Sequence, residues 1–287
     1  MTASGNPLRT AAGPPLTERL FWRFTVVVAI GYALLPVIWL LSLSLKPAGD
    51  LADGRFFPRT LSLEHYVAVF QDPQFPAALV NSLGIGLIAT LISVAVASLA
   101  AYAIVRLQFP GRRLVLVAAL AVAMFPPIAI VGPLFELWRV LGLFDTWAGL
   151  VIPYMTLTLP LAIWTIAAFF RELPWELERA ARVDGATRLG AFRHAILPLA
   201  APGVFASAIL VFIFAWNDFL FAASLTSTAA ARTVPVAIAF FTGSSRFEQP
   251  TGSIAAASVV VTIPVVLLIL LFQRRIVAGL TGGAVKG

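Results

Sequence analysis

Six uncharged or nearly uncharged runs, at 24–45, 79–105, 114–135, 146–170, 201–224 and 251–272, constrain this chain more than any other feature. A helix needs about 20 apolar residues to cross the hydrocarbon of a bilayer, and every run meets that length. Only 11% of the 287 residues are charged, against 60% hydrophobic, where soluble domains carry about 25% charged residues. The expected fold class is an all-α polytopic membrane protein with six transmembrane helices. A signal peptide competes for the first run, but its apolar core is usually about 7–15 residues. The 24–45 run is read as a retained helix.

Orientation follows from the basic residues. With the N-terminus inside, the inner segments 1–23, 106–113, 171–203 and 273–287 hold 14 of the 20 Lys and Arg. Acidic residues lean the other way, 5 inside and 7 outside, with Asp218 inside a span. Cytoplasmic loops carry the excess of Lys and Arg, so both termini are expected in the cytoplasm. The net charge of +7 then reflects loop placement, not an affinity for nucleic acid. Cysteine is absent, and the two histidines, His65 and His194, lie in different loops. Disulfides, thiolate chemistry and a histidine metal cluster are excluded.

Within the second run Ala89, Ser93, Ala97 and Ala101 recur every four residues. Such ridges of small side chains let membrane helices approach closely, either inside the chain or against another subunit. The third run is interrupted by Pro126-Pro127 and Pro133. Proline ends or kinks a helix, so this span either breaks near a substrate path or ends there. The segment 1–23 is expected to be a flexible leader and 63–70 a short amphipathic helix.

The segment 171–203 is the one long polar stretch between spans, with five arginines, one histidine, three glutamates and an aspartate. Pro174 suits a first helical turn. A helix from Trp175 to Val183 would stop at Asp184-Gly185 through a left-handed glycine. Thr187 can cap a second helix with Leu189, Phe192 and Ile196 on one face, closed by Pro198. This helix pair either rests on anionic lipid or docks a soluble subunit.

The run Arg179-Ala180-Ala181-Arg182-Val183-Asp184-Gly185-Ala186, continuing to Leu197-Pro198, resembles the EAA loop of bacterial ATP-binding cassette (ABC) importer permeases. There the loop fits a cleft on a cytoplasmic ATPase. The resemblance implies an ATPase-coupling site of Glu178, Arg179, Ala180, Ala181, Asp184, Gly185, Ala186, Phe192, Leu197 and Pro198. Two positions depart from the pattern. Arg179 stands where the family has glutamate, and Ala195 stands where isoleucine is expected. An arginine facing the ATPase implies an acidic group on that partner.

Six spans, the sequence Trp216-Asn217-Asp218-Phe219-Leu220-Phe221 and the tail GLTGGAVKG resemble the carbohydrate-importing, MalG-like subgroup. The passages GYALLPVIWLLSLSLKP, GLFDTWAGL, FTGSSRFEQPTGSIAAA and QRRIVAGLT resemble permeases of trehalose importers. The resemblance implies a multi-pass subunit of a bacterial cytoplasmic membrane that moves a sugar, trehalose first and another oligosaccharide or a glycerol-phosphate-type substrate as alternatives. Its implied partners are a second, different permease, two ATPases carrying ATP and Mg, an extracytoplasmic sugar-binding lipoprotein and membrane lipid. The tail is 273–287, and its end, 279–287, is expected to reach between the ATPases as a flexible, nearly uncharged strand. The outer loop with Ser244, Ser245, Arg246, Phe247 and Glu248 either contacts the binding protein or merely connects two spans.

The chain itself has no G-x-x-x-x-G-K-[ST] and only two lysines, Lys46 and Lys286, so it cannot hydrolyse ATP through a P-loop. No nucleophile–base constellation supports a membrane enzyme. Proton-coupled transport through Asp218 is the competing energy source, but such transporters carry internal repeats and more buried ionisable groups. Asp218 sits about 26 Å along its span at about 1.5 Å per residue. It either lines a translocation path with Trp216 and Asn217, Trp216 offering its ring to a pyranose, or is a structural group near the membrane boundary.

Overall fold

The computed structural model describes residues 16–241 and 250–281, and these are helical and irregular without a strand. Thirteen α-helices follow in order: α1 (Leu16–Ser44), α2 (Glu64–Gln71), α3 (Gln74–Arg106), α4 (Arg112–Met124), α5 (Pro127–Leu141), α6 (Trp147–Glu172), α7 (Trp175–Val183), α8 (Arg188–Ala191), α9 (Leu197–Leu199), α10 (Ala201–Asn217), α11 (Leu220–Leu225), α12 (Val234–Ala239) and α13 (Thr251–Thr281). A π-helical turn at Phe192–Ile196 joins α8 to α9.

Among the described residues four helices are long and apolar enough to cross a membrane unbroken, at Thr17–Ser44, Gln74–Arg106, Trp147–Glu172 and Thr251–Phe272. The count reaches six only if two bent pairs each make one span. One is α4 with α5, which meet at 90°. Phe125 and Pro126 take extended ψ values of 130° and 121°, and Pro127 opens the new helix. The expected span at 114–135 is therefore not one rod, because two consecutive prolines prevent the backbone from continuing its ladder. The other pair bends by 78° where Arg188–Leu199 meets α10.

Other boundaries also move. Helix begins at Leu16, inside the expected leader, with Glu18 in its first turn where an acidic side chain suits the helix dipole. Helix α13 continues to Thr281, so the tail is helical from 273 to 281, including the first three residues of the segment expected as a strand. Residues 282–287 lie outside the described residues, as do 1–15.

The centre of the bundle is α3 against α6, crossed by α10. Ala89, Ser93, Ala97 and Ala101 are each 0% exposed, and Ser93 Oγ lies 3.2 Å from Thr158 Oγ1 of α6. The small ridge packs within the chain: removing side-chain bulk lets the backbones close up and gain dispersion contacts. Gly203, at the start of α10, serves the same end, since a Cβ there would lie 2.2 Å from the Phe169 ring. Pro153 lacks the N–H that would bond Gly149, and the indole N–H of Trp138 donates to that carbonyl at 2.7 Å instead. A freed carbonyl in an apolar surround is thereby satisfied.

At the end of the bundle away from 171–203, polar contacts tie loops to spans. Asn81 Nδ2 donates to the carbonyls of Ala229 and Arg232, both at 2.9 Å, while its Oδ1 accepts from Trp147 Nε1 at 2.9 Å. Asp145, at φ 58°, accepts from the Ser227 and Thr228 amides at 2.9 and 3.2 Å. Lys46 is fully buried, with its ammonium 2.6 Å from Asp53 and 2.7 Å from the Arg55 carbonyl.

Candidate functional site

The polar segment folds as two short helices with the stops that its residues require. Gly185 at φ 89° lets the Ala186 amide reach the Ala181 carbonyl at 3.0 Å and its own amide reach Arg182 at 3.1 Å. These are the paired bonds of a glycine-terminated helix. Thr187 Oγ1 accepts from the Gly190 amide at 3.1 Å, capping α8.

One side of this unit is tied into the bundle. Glu178 of α7 is buried, and the Tyr102 hydroxyl of α3 donates to its Oε1 at 2.8 Å and reaches the Arg188 carbonyl at 3.2 Å. Arg106, the last residue of α3, has a side chain only 1% exposed. Its Nη2 donates to the carbonyls of Phe170 and Leu173 at 2.9 and 2.8 Å, closing the C-terminal end of α6. Its guanidinium lies 4.4 Å from the centre of the Trp175 ring, a cation–π contact, and its Nε is 4.0 Å from Glu178 Oε2. Phe192 fits between Tyr102 and Phe170, with ring centres 5.0 and 6.2 Å away.

The other side faces outward. Arg179, Ala180, Arg182, Asp184, Gly185 and Pro198 are exposed, while Ala181, Ala186 and Leu197 are half-buried. Val183 and Leu189 are 87% and 64% exposed. The expected face of Leu189, Phe192 and Ile196 is thus split: the π-turn adds a residue to the period and only the last two point inward. Arg106, Arg179, Arg182 and Arg188 share one cleft with Trp175 and Glu178. Glu178 and Arg179, adjacent in sequence, face opposite environments.

The residues 216–218 do not form an open sugar site in this conformation. Trp216 is 2% exposed and stacked on Phe212 at 5.6 Å, so its ring is not presented to a pyranose in this conformation. Asn217 is exposed, with its Nδ2 donating to the Ile213 carbonyl at 2.8 Å. Asp218 ends α10, and its carboxylate accepts from Tyr154 at 2.8 Å and from the Ala222 and Phe221 amides at 3.0 and 3.4 Å. It caps α11, where a side-chain acceptor satisfies otherwise orphaned amides. The residues Ser244, Ser245, Arg246, Phe247 and Glu248 lie outside the described residues.

Three members of the tied face were not singled out from sequence: Tyr102, Arg106 and Trp175. Their partners are brought close by the α3–α6 pairing, and only the position of Arg106 at the end of an apolar run hinted at a role.

The model of the family described as binding-protein-dependent transport system inner membrane component matches residues 93–282. The trehalose transport system permease protein SugB of Mycobacterium tuberculosis is 59% identical over 93% of this chain and 97% of its own length. The trehalose/maltose transport system permease protein MalG of Thermococcus litoralis is 45% identical over 88% of this chain and 92% of its own. A crystal structure of a bacterial ABC transporter that imports the acidic polysaccharide alginate superposes with a TM-score of 0.73 over 92% of this chain and 99% of that one, at 23% identity. The fold, the matched segment and these relatives agree: the chain belongs to the inner membrane component family of binding-protein-dependent transport systems, the non-catalytic permease subunits of ABC importers.

Proposed function

We propose that this permease subunit serves a trehalose importer of the bacterial cytoplasmic membrane, with both termini cytoplasmic. Its partners in this reading are a second, different permease, two copies of an ATPase holding ATP and Mg, and an extracytoplasmic sugar-binding lipoprotein. The observation that carries the coupling role is the division of α7–α9 into a tied face and an exposed face. The ATPase docks on Val183, Leu189 and the exposed arginines. Its closure displaces α7, and the Tyr102–Glu178 and Arg106–Leu173 contacts pass that displacement to α3 and α6. Trehalose is favoured because both quoted permease relatives carry it in their names.

Arg179 sets a condition on the partner. A base on the ATPase at this point would repel it, so the ATPase presents an acidic group. In the reconstituted complex, Arg179→Glu loses sugar-stimulated ATP hydrolysis and regains it with a charge-reversed ATPase. Full activity of Arg179→Glu with the unaltered ATPase would overturn the proposal. The same preparation tests the substrate: trehalose is expected to stimulate hydrolysis most, and stimulation by a different sugar alone would displace it.

A further inference from the structure

Trp175 separates two clefts where α3 and α6 end and α4 begins. The first is the arginine-rich cleft described above, whose exposed arginines belong to the proposed ATPase-docking face. The second has apolar walls from Ile104, Leu116 and Phe170, with Arg112, Arg171 and Trp175 completing it. Arg112 and Arg171 are exposed. Glu172 and Glu176 lie near Arg171 in sequence, yet the Lys and Arg ion pairs among the described residues are Lys46–Asp53 and Arg106–Glu178. Neither guanidinium is neutralised by the described chain.

We infer that this second cleft binds one anionic phospholipid, with the phosphodiester between Arg112 and Arg171 and an acyl chain along the apolar walls. Four features together select such a ligand. The cleft lies where two apolar helices terminate and a third starts, which is the level of lipid headgroups. Arginine forks suit phosphate oxygens, and Trp175, with an apolar body and a polar N–H, suits the interface. The outer surface of α4 beside the cleft is strongly apolar and exposed, with Leu114 at 70% and Val117 at 61%. Because Arg106 stacks on Trp175 and holds the Phe170 and Leu173 carbonyls, a lipid here abuts the joint between the spans and α7. The orientation proposed above places it in the cytoplasmic leaflet, but its existence does not depend on the sugar or the ATPase.

The test uses the full chain in phosphatidylcholine vesicles containing a few per cent brominated phosphatidylglycerol, and the assembled importer in the same vesicles. The signal is quenching of Trp175, read as the difference between the wild type and Trp175→Phe. Each basic side chain near the headgroups adds about fivefold to anionic lipid affinity, so two give a preference of about twenty-five-fold over brominated phosphatidylcholine. The pair Arg112→Gln with Arg171→Gln should reduce it to the bulk ratio, while Arg112→Lys with Arg171→Lys retains most of it. Should the glutamine pair fail to fold, the wild-type comparison of the two brominated lipids still decides. Equal quenching by both lipids overturns the inference. Loss of the preference in millimolar inorganic phosphate overturns it in favour of a soluble anion, and loss in the assembled importer does so in favour of a protein side chain.

Discussion

Tyr102→Phe isolates the link between α3 and the exposed helix pair. The hydroxyl donates at 2.8 Å to Glu178 Oε1 in a buried setting, and the other oxygen, Oε2, has no hydrogen-bond partner among the described residues. Removing one atom therefore leaves the whole carboxylate without a hydrogen bond. A hydrogen bond to a charged group contributes about 1.5–3 kcal/mol, so α7 should leave α3 more often by about 2 kcal/mol, roughly thirtyfold at about 1.4 kcal/mol per decade. The assay is amide hydrogen exchange across 175–190 in the purified full chain, with α3 itself as internal control. Exchange should quicken there and not in the α3–α6 interior. Glu178→Gln keeps an acceptor without the charge, so combining it with Tyr102→Phe should cost less than the two changes summed, as expected for groups in direct contact. Unchanged exchange in Tyr102→Phe, or strict additivity in the pair, would refute the link.

Trp138→Phe should lower the melting stability by about 1–3 kcal/mol by orphaning the Gly149 carbonyl. Adding Pro153→Ala, which restores the helical N–H, should recover most of it, and no recovery would argue against this assignment. Gly203→Ala drives a methyl into Phe169 and should cost about 1–3 kcal/mol, relieved by Phe169→Leu; a neutral Gly203→Ala would show that α10 shifts freely. Asp145 is pulled in two directions: burial raises its pKa, but hydrogen bonds from Thr228 and Ser227 outweigh burial and lower it. A lowered folded value means that its contribution is present above the unfolded value of about 3.9 and is lost as pH falls through the folded one. Protection of the Ser227 and Thr228 amides, taken relative to the intrinsic exchange rate at each pH, should therefore fall in acid in the wild type, and Asp145→Asn should abolish that pH dependence of protection.

The parts of this fold that were legible in the sequence are those set by local chemistry. The small residues at every fourth position in α3 suit close helix packing, the glycine after α7 tolerates a left-handed turn and the threonine before α8 can cap it, and each takes up that role. The proline pair at 126–127 announced a break but not its geometry, because the 90° bend depends on what α5 packs against. Trp216 shows the same limit: an aromatic ring beside two polar residues can serve a sugar or the core, and only the structure shows Phe212 of the same helix stacked on it. Arg106 reads as a loop cation, and the carbonyls it closes are more than sixty residues away in the chain.

The pair Glu178 and Arg179 shows why adjacency in sequence is a poor guide to substitution. Successive residues on a helix point about 100° apart, given about 3.6 residues per turn, so only one of two neighbours can face the bundle squarely. Glu178 takes that position and is held there by Tyr102. It is not available to replace a glutamate missing at 179 without breaking the contact that docks α7. Turning α7 to present Glu178 outward would also carry Trp175 away from Arg106 and expose the Arg106 side chain, whose carbonyl contacts close α6. Under the proposed coupling role, the sign of the charge offered at 179 is therefore not recoverable from inside this chain, and the proposed acidic group on the ATPase is the change that would match it.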